Sequence, residues 1–312
     1  MLEGLEVSEV DFLLVLDSSD DFRLHSEYFS KNFLTSEDYF QRIQTVELSE
    51  IATIADGDHA KFPDNQTADV RYLQARDIKN NFLEISSDVF VSNEYFAKNQ
   101  RSLISGESIL LSIMGTVGDI TITPRDFEPC MCNRALAIIK NIKDTSPQFL
   151  FAYLTTKHAA ENIERLKNGG VQQRINLDSL SKVLIPILSK NFQSKIEGSV
   201  ILAQNVRGES KQSYIKAEDL LLETLGMANF SPSAKKVNIK SFKDSFAATS
   251  RLDAEYYQPK YEDYLKHILT YSNGFDSLAK VCNLKDSNYS PKDNVEYEYI
   301  ELSDIDKAGG IT

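Results

Sequence analysis

Residues Gln193 to Leu225 read QSKIEGSVILAQNVRGESKQSYIKAEDLLLETL, and Gly226 follows. No proline interrupts the run. Apolar or small residues recur three and four apart at Ile196, Val200 and Ala203, and again at Tyr214, Ala217 and Leu221. Arg207 and Ser210 break the stripe in the middle. The spacing predicts one helix, roughly 50 Å long at 1.5 Å per residue. One small domain does not cover such a length. A second helix beside it is the expected solution, a lone surface helix the plainer alternative.

The chain repeats itself on either side of this helix. Arg23-Leu24-x-x-Glu27-Tyr28-Phe29 returns as Arg251-Leu252-x-x-Glu255-Tyr256-Tyr257, an offset of 228. Ile51-Ala52-x-Ile54 is matched by Leu278-Ala279-x-Val281. Tyr72-Leu73-x-x-x-Asp77-Ile78 is matched by Tyr299-Ile300-x-x-x-Asp304-Ile305. Both of these stand at an offset of 227. The period is far too long for a solenoid. It reads as a domain-plus-helix unit followed by the opening of a second, which reaches Thr312 before any equivalent of residues 86–190. The expectation is a truncated second unit.

Composition bounds the rest. The 312 residues, 42% hydrophobic, suffice for two domains with proper cores. No run of eighteen apolar residues occurs, so no membrane span is expected. The opening MLEGLEVSEVDF is acidic where a signal peptide is basic. Cys130, Cys132 and Cys282 make no disulfide framework, and Cys130-x-Cys132 has no partner pair at zinc-ligand spacing. Reduced thiols in a cytoplasmic protein are expected. A net charge of -12 argues against a wholly basic nucleic-acid binder. The charge is uneven, however. Residues 1–85 carry 18 acidic and 7 basic side chains, residues 86–190 carry 10 and 12. A nucleic-acid surface belongs in 86–190.

Within the first unit, Arg23–Phe33 reads as a short amphipathic helix or turn. Glu47–Ile54 reads as a strand or a helical turn, and Asp56-Gly57-Asp58-His59 as a turn. Val70–Leu73 and Val89–Val91 are expected strands. Gly106–Ile113 is a buried strand that turns through Met114-Gly115-Thr116-Val117-Gly118-Asp119-Ile120 into a hairpin. Cys132–Lys140 is expected as one further strand. Pro147 to about Leu166 is expected as one helix, opened by Ser146-Pro147 and stopped by Asn168-Gly169-Gly170. A short helix at Leu177–Leu180 and an edge strand at Val183–Pro186 precede the long helix.

Three features in this order carry a resemblance: the GES-ILLSIMGTVGDI hairpin with its CNRALAIIK strand, the PQFLFAYL helix with its NGGVQQRINLDSLSKVLIPIL exit, and a long helix before a new start. The chain resembles the specificity (S) subunit of type I restriction-modification systems, bacterial defence complexes. The resemblance implies an α+β fold. A mixed-sheet target-recognition domain with an N-terminal arm takes 1–190, and one long helix for antiparallel helix pairing takes 191–226. A linker takes 227–250, and the opening of a second target-recognition domain takes 251–312. It implies a non-catalytic subunit that reads half of a split site on double-stranded DNA. Methyltransferase (M) subunits dock on it, and the restriction (R) subunit joins through the complex. It implies no cofactor in this chain, since S-adenosylmethionine, ATP and magnesium belong to partner subunits. This sequence departs from that pattern in lacking most of the second domain and all of the second helix, and a homodimer through 193–225 would recover the two-fold geometry.

Base reading needs amides and guanidinium groups, with other cations on phosphates. Lys167, Asn168, Gln172, Gln173, Arg174 and Asn176, in a loop whose glycines allow close backbone approach, form the first candidate patch. Ordinary polar linker surface is its alternative. Asn133 and Arg134 form a second patch, with an acidic partner for Arg134 as the alternative. Lys98 and Arg101 are candidate phosphate contacts or simply solvated charges. No metal site is expected. Gly115-Thr116-Val117-Gly118 lacks the spacing and lysine of a phosphate loop, and a hairpin turn needing positive φ accounts for it. Pro63-Asp64 with Asp77-Ile78-Lys79 loosely fits a metal-dependent nuclease. The second copy has Pro291-Lys292 and Asp304-Ile305-Asp306 there, which leaves Asp77 as a structural cap. No Asn/Asp-Pro-Pro-Tyr/Phe tetrapeptide marks an amino-methyltransferase. The competing readings are a truncated scaffold that binds the methyltransferase without productive DNA recognition and, behind it, the nuclease.

Overall fold

The computed structural model describes residues 8–17, 26–31, 33–35, 42–60, 68–86, 88–169, 173–283, 290–301 and 305. They divide into two compact units, Met1–Ser213 and Tyr214–Thr312. In the first, α1 (Phe12–Asp17) and a tight turn at Ser26–Phe29 precede β1 (Thr45–Glu47), α2 (Leu48–Ile51) and β2 (Thr53–Asp56). Next come β3 (Ala68–Leu73), β4 (Ile78–Lys79), β5 (Phe82–Leu83), β6 (Phe90–Ser92), α3 (Asn93–Lys98) and β7 (Leu103–Ile104). β8 (Ile109–Ser112), β9 (Ile120–Ile122), β10 (Cys130–Cys132) and β11 (Leu136–Lys140) lead to α4 (Pro147–Leu154) and α5 (Lys157–Arg165). α6 (Leu177–Ser181), β12 (Leu184–Pro186) and the long α7 (Lys190–Thr224) follow, the residues of α7 from Tyr214 onward counting with the second unit. The fold is the expected α+β mixture of mixed sheets and one long helix.

β2, β11, β8 and β9 lie in that order in one antiparallel sheet. Both its faces are covered, so β8 is buried at every position. Successive side chains point to opposite faces. Ile109, Leu111, Ala137 and Ile139 meet Leu48, Leu150, Leu154 and Ile163 on the helical side. Leu110, Leu136 and Ile138 meet Val70, Tyr72, Leu73 and Met131 on the other. That second core joins the sheet to a mixed one of order β6-β3-β10-β7, in which β3 runs parallel to β10. Double coverage explains why GESILLSIM reads as an unbroken apolar run and not as an alternating one.

Three elements differ from the sequence reading. CNRALAIIK is not one strand, because the chain changes sheets at Asn133–Ala135. Gly57 forces the corner: a Cβ there would lie 2.1 Å from the Asn133 carbonyl oxygen. Gly57 N donates to Leu136 O at 3.0 Å, and Arg134 N to Asp58 O at 2.9 Å, in place of a continued ladder. The helix expected from Pro147 to Leu166 is two helices. Thr156 adopts extended backbone and its Oγ1 accepts from Ala159 N at 3.4 Å, capping a fresh helix. Glu47–Ile54 is strand, helical turn and strand in succession. Gly169 (φ 98) lies beyond the end of α5, and Gly170 lies outside the described residues.

α7 runs from Lys190 and stops before Gly226 (φ 67), where Met227 N donates to Leu222 O at 2.7 Å. Its one buried residue is Gln193. Gln193 Oε1 accepts from Ser146 N (3.1 Å) and Thr145 Oγ1 (3.2 Å), and its Nε2 donates to Leu188 O (2.9 Å). Farther along, Gln204 Nε2 donates to Ile122 O at 3.3 Å. Arg207, the residue that breaks the apolar stripe, stands 4.0 Å from the Phe82 ring centroid and pairs with Glu84. Leu202, Val206, Tyr214, Leu220 and Leu221 are exposed.

The second unit holds α8 (Phe246–Thr249), α9 (Pro259–Leu269) and α10 (Leu278–Val281). Phe230 packs on Tyr264 and His267 of α9, at 5.2 and 4.9 Å between ring centroids. Asn238 Nδ2 donates to Tyr257 O (2.7 Å) and Glu262 Oε1 (3.0 Å), tying the linker to α9. The repeat is visible in the backbone. α2 is entered from extended Glu47 and left through extended Ala52, whose N–H donates to Leu48 O at 3.0 Å. α10 is entered from extended Ser277 and left through extended Cys282, whose N–H donates to Leu278 O at 2.8 Å. The true match is therefore Leu48-x-x-Ile51 with Leu278-x-x-Val281, at an offset of 230. The offset of 227 that aligned Ile51 with Leu278 is corrected. Arg23, Leu24 and Asp304 lie outside the described residues.

Candidate nucleic-acid interface

The end of β8 brings two of the predicted patches together. Asn168 and Arg174 exchange backbone hydrogen bonds of 2.8 and 2.9 Å. Arg174 also bridges antiparallel to Met114, and Ile175 N donates to Ile113 O at 3.1 Å. On the other side, Ile113 N donates to Ala135 O at 2.8 Å. Ile113 and Met114 thus separate Arg134 from Arg174 as a middle strand separates its neighbours. At ~4.8 Å per strand the two backbones lie about 10 Å apart. Both arginines are exposed, and among the described residues neither has a carboxylate partner. The β8–β9 turn emerges at the same point. Gly115 (φ 83) and Gly118 (φ 106) supply its left-handed backbone, with Gly118 N donating to Ser112 O at 2.9 Å.

The remaining predicted residues divide by what they already bind. Gln173 and Asn176 are exposed, and the Asn176 side chain makes no capping bond although it opens α6. Asn168 is half-buried. Lys167 Nζ bonds Glu164 at 2.5 Å with only 15% of its side chain exposed, so its charge is internally balanced. Gln172 lies outside the described residues. Asn133 Oδ1 accepts from Ala135 N at 3.2 Å, which commits part of that amide to the sheet corner. Lys98 pairs with Glu94 at 2.6 Å and Arg101 with Asp56 at 2.5 Å. Neither is a lone cation.

The Asp77 carboxylate is fully buried. It accepts from Gln74 N (2.9 Å), Ser86 N (2.8 Å) and Ser86 Oγ (3.2 Å), and Glu84 N donates to its carbonyl at 2.8 Å. That is a cap at the entry to β4, the reading the repeat favoured. Pro63 and Asp64 lie outside the described residues. Among the described residues no group of three His, Cys, Asp or Glu side chains is placed to hold a metal, and no helix is long and apolar enough to cross a membrane. Cys130 and Cys132 are buried in β10, where desolvation pushes the Cys130 thiol up to about 12 and Cys132 well above its ordinary value. Cys282 is exposed.

Two clusters escaped the sequence reading. Asp58, where the chain passes between sheets, accepts from Tyr95 Oη at 2.8 Å and Tyr72 Oη at 3.3 Å. Burial and the Asp58 carboxylate push Tyr95 up to about 12 and Tyr72 further still. Gln193, Gln204 and Arg207 clamp α7 to its domain. The break in the stripe at Arg207 was the available signal.

No curated protein matches the chain. Among solved structures, the S subunit of the type I restriction-modification system from M. genitalium aligns with 17% identity and a TM-score of 0.41, over 58% of this chain and 44% of that one. The HsdS subunit from Thermoanaerobacter tengcongensis aligns with 14% identity and a TM-score of 0.36, over 64% and 50%. A structure describing complex assembly and conformational transition of the type I R-M system aligns with 15% identity and a TM-score of 0.38, over 61% and 48%. The chain therefore spans half or less of the length of these proteins. A family model for the type I restriction modification DNA specificity domain matches residues 41–197, which contain every strand of both sheets and both Arg134 and Arg174. The chain belongs to the family of type I restriction modification DNA specificity domains.

Proposed function

We propose that this chain reads one half of a split site on double-stranded DNA through the end of β8, without catalysing a reaction itself. The observation that carries the reading is the pair Arg134 and Arg174, exposed, without a carboxylate partner among the described residues, their backbones set about 10 Å apart around one strand end. Gln173 and Asn176 offer amides for base edges beside them. The glycine turn at 115–118 lets backbone approach a phosphate closely. In this reading S-adenosylmethionine, ATP and magnesium are held by partner subunits in the cytoplasm. The exposed apolar residues of α7 support a helix partner there. A second copy of the chain, the methyltransferase subunit, or both would cover Leu202, Val206, Tyr214 and Leu221. The restriction subunit would join through that complex.

The test is salt-dependent binding to a randomised duplex pool, followed by the duplex enriched from it. Arg174→Ala should weaken binding to the enriched duplex by about 1–3 kcal/mol if it contacts a base. If it contacts phosphate, the loss is equal on both DNAs and the salt slope falls by about one. A double Arg134→Ala, Arg174→Ala variant that binds both DNAs as the wild type does would refute the interface. Light scattering of the chain, alone and with a methyltransferase subunit, reads the assembly. A strictly monomeric chain that takes up no methyltransferase rejects the helix partners.

A further inference from the structure

The row of chain segments at the end of β8 continues past Arg134. Asp58 N donates to Cys132 O at 2.7 Å and Arg134 N to Asp58 O at 2.9 Å, a parallel bridge between Asp58 and Asn133. His59, one residue on, is the backbone neighbour of Arg134, one strand spacing of ~4.8 Å away. It is exposed, as Arg134 and Arg174 are. Across the row the order is thus His59, Arg134, the strand end at Ile113 and Met114, then Arg174.

The His59 ring is held in place. Its Nε2 lies 2.6 Å from Asp56 Oδ2, and Arg101 bonds the other oxygen of that carboxylate at 2.5 Å. The Asp56 side chain is 15% exposed, those of His59 and Arg101 62% and 69%. Arg101 is fixed in turn at its backbone. Lys140 Nζ donates to Arg101 O and to Leu103 O, both at 2.9 Å. An ionised aspartate only accepts, so Nε2 carries the proton of the neutral ring. Nδ1 then presents a lone pair, and among the described residues it has no hydrogen-bond partner. Protonation makes Nδ1 a donor and takes the charge of the three residues from zero to plus one.

We propose that His59 and Arg101, aligned by Asp56, form a phosphate site on the flank of the DNA interface, and that DNA binding takes up a proton at His59. The inference rests on the DNA reading proposed above and adds to it a contact that titrates. A phosphate oxygen meets a lone pair on the neutral ring and an N–H on the charged one, so the protonated form is the one that binds. Other ionisable groups surround the ring. Asp56 and Asp58 stand on its own segment. Arg101 comes from the turn before β7, Lys140 from β11 and Arg134 from the sheet corner. Tyr72 and Tyr95 reach Asp58 from β3 and α3. Of these side chains the imidazole is the one whose ordinary pKa falls between pH 5 and 8.

The experiment titrates a fluorescein-labelled randomised duplex pool, and the duplex enriched from it, with the full 312-residue chain at pH 6 and pH 8 and constant ionic strength. The wild type should bind about fivefold more tightly at pH 6, by the same factor on both DNAs, since a phosphate contact carries no base information. His59→Gln takes no proton; it should match the wild type at pH 8 and lose the gain at pH 6. His158→Gln, on the exposed face of α5, should keep the gain. Affinity that does not change with pH, or a gain that survives His59→Gln, overturns the proposal. Equal loss in both histidine variants reduces the effect to net charge and overturns it as well. A gain confined to the enriched duplex makes His59 a base contact and removes the phosphate site. No binding to either DNA at either pH refutes the DNA reading itself, and this site falls with it.

Discussion

The same short motifs are buried in one unit and exposed in the other. Leu48, which opens α2, is 0% exposed; Leu278, which opens α10, is 77% exposed. Tyr72 is 2% exposed and its repeat partner Tyr299 80%. The backbone of the one-turn helix is nevertheless alike in both, from extended entry to extended exit. Local sequence therefore dictates the turn, and tertiary packing decides what it contributes. In the first unit α2 packs against Leu150, Ile163 and Leu180, and Tyr72 against Met131 and Leu136, residues drawn from 86–190. No described residue of the second unit takes their place over Leu278.

The sharpest way to break this comparison is to truncate both leucines. Leu48→Ala removes a fully buried side chain from the helical core and should cost about 2–5 kcal/mol. Leu278→Ala should stay within about 0.5 kcal/mol. Urea unfolding followed by far-ultraviolet circular dichroism, which reports on both units, reads both. If the two variants cost the same, α10 is packed in solution and the contrast fails.

What was legible in the sequence follows the same division between local and tertiary causes. The long helix, the β8–β9 hairpin with its two glycines, the Ser146-Pro147 helix start and Asp77 as a cap all rest on residues within a few positions of one another. The break at Thr156 was missed because a threonine N-cap inside an apolar-periodic run looks like one more helical residue. The sheet change at Asn133 was missed because its cause is Gly57, far away in sequence and adjacent only after folding. The middle repeat was aligned on Ile51 and Ala52, and only the cap geometry shows that Leu48 is the equivalent of Leu278. The candidate interface was legible as residue types. That Arg134 and Arg174 flank one strand was not, since Ile113 and Met114 join them through backbone bonds.

A second contrast lies within the first unit's buried polar groups and sharpens the comparison of Tyr72 with Tyr299. Tyr95→Phe removes the shorter hydrogen bond to Asp58 and leaves that carboxylate with one phenol donor, a cost of about 1–3 kcal/mol. Tyr299→Phe should be silent. The pH dependence has a definite sign. The folded-state phenols titrate above their ordinary value of 10.0, Tyr95 near 12. Their contribution is complete below pH 10 and is lost as pH rises from about 10 through 12. Alkaline unfolding of the wild type should begin in that window, and Tyr95→Phe should flatten it. A stability that is level to pH 12 would remove the tyrosine–aspartate cluster from the account.

Within α7 the clamped and free ends offer a smaller test of the same kind. Gln193 satisfies the Ser146 N–H at 3.1 Å, whereas Gln212 is exposed on the same helix. Gln193→Ala orphans a buried donor and should cost about 1–2 kcal/mol, Gln212→Ala a few tenths. Under the proposed function the clamp also sets the angle between reader and helix. Gln193→Ala should then broaden the half-site spacings selected from a randomised pool without changing the half-site itself. Spacing that stays fixed would confine Gln193 to stability.

The smallest expected effect separates a paired cation from an unpaired one. Lys98 forms an exposed i,i+4 pair with Glu94 at 2.6 Å, and such pairs contribute about 0.3–0.5 kcal/mol. Lys98→Ala should therefore change stability by no more than that. It should leave DNA affinity within about twofold at moderate salt, where an already neutralised charge has little left to offer a phosphate. Arg134→Ala removes a cation with no carboxylate partner among the described residues and should reduce the salt slope by about one. Measured side by side at two ionic strengths, the pair distinguishes a basic surface that acts through total charge from one that acts through placed arginines. Equal losses for Lys98 and Arg134 would favour total charge, and the strand-end geometry around Ile113 and Met114 would then have no special part in binding.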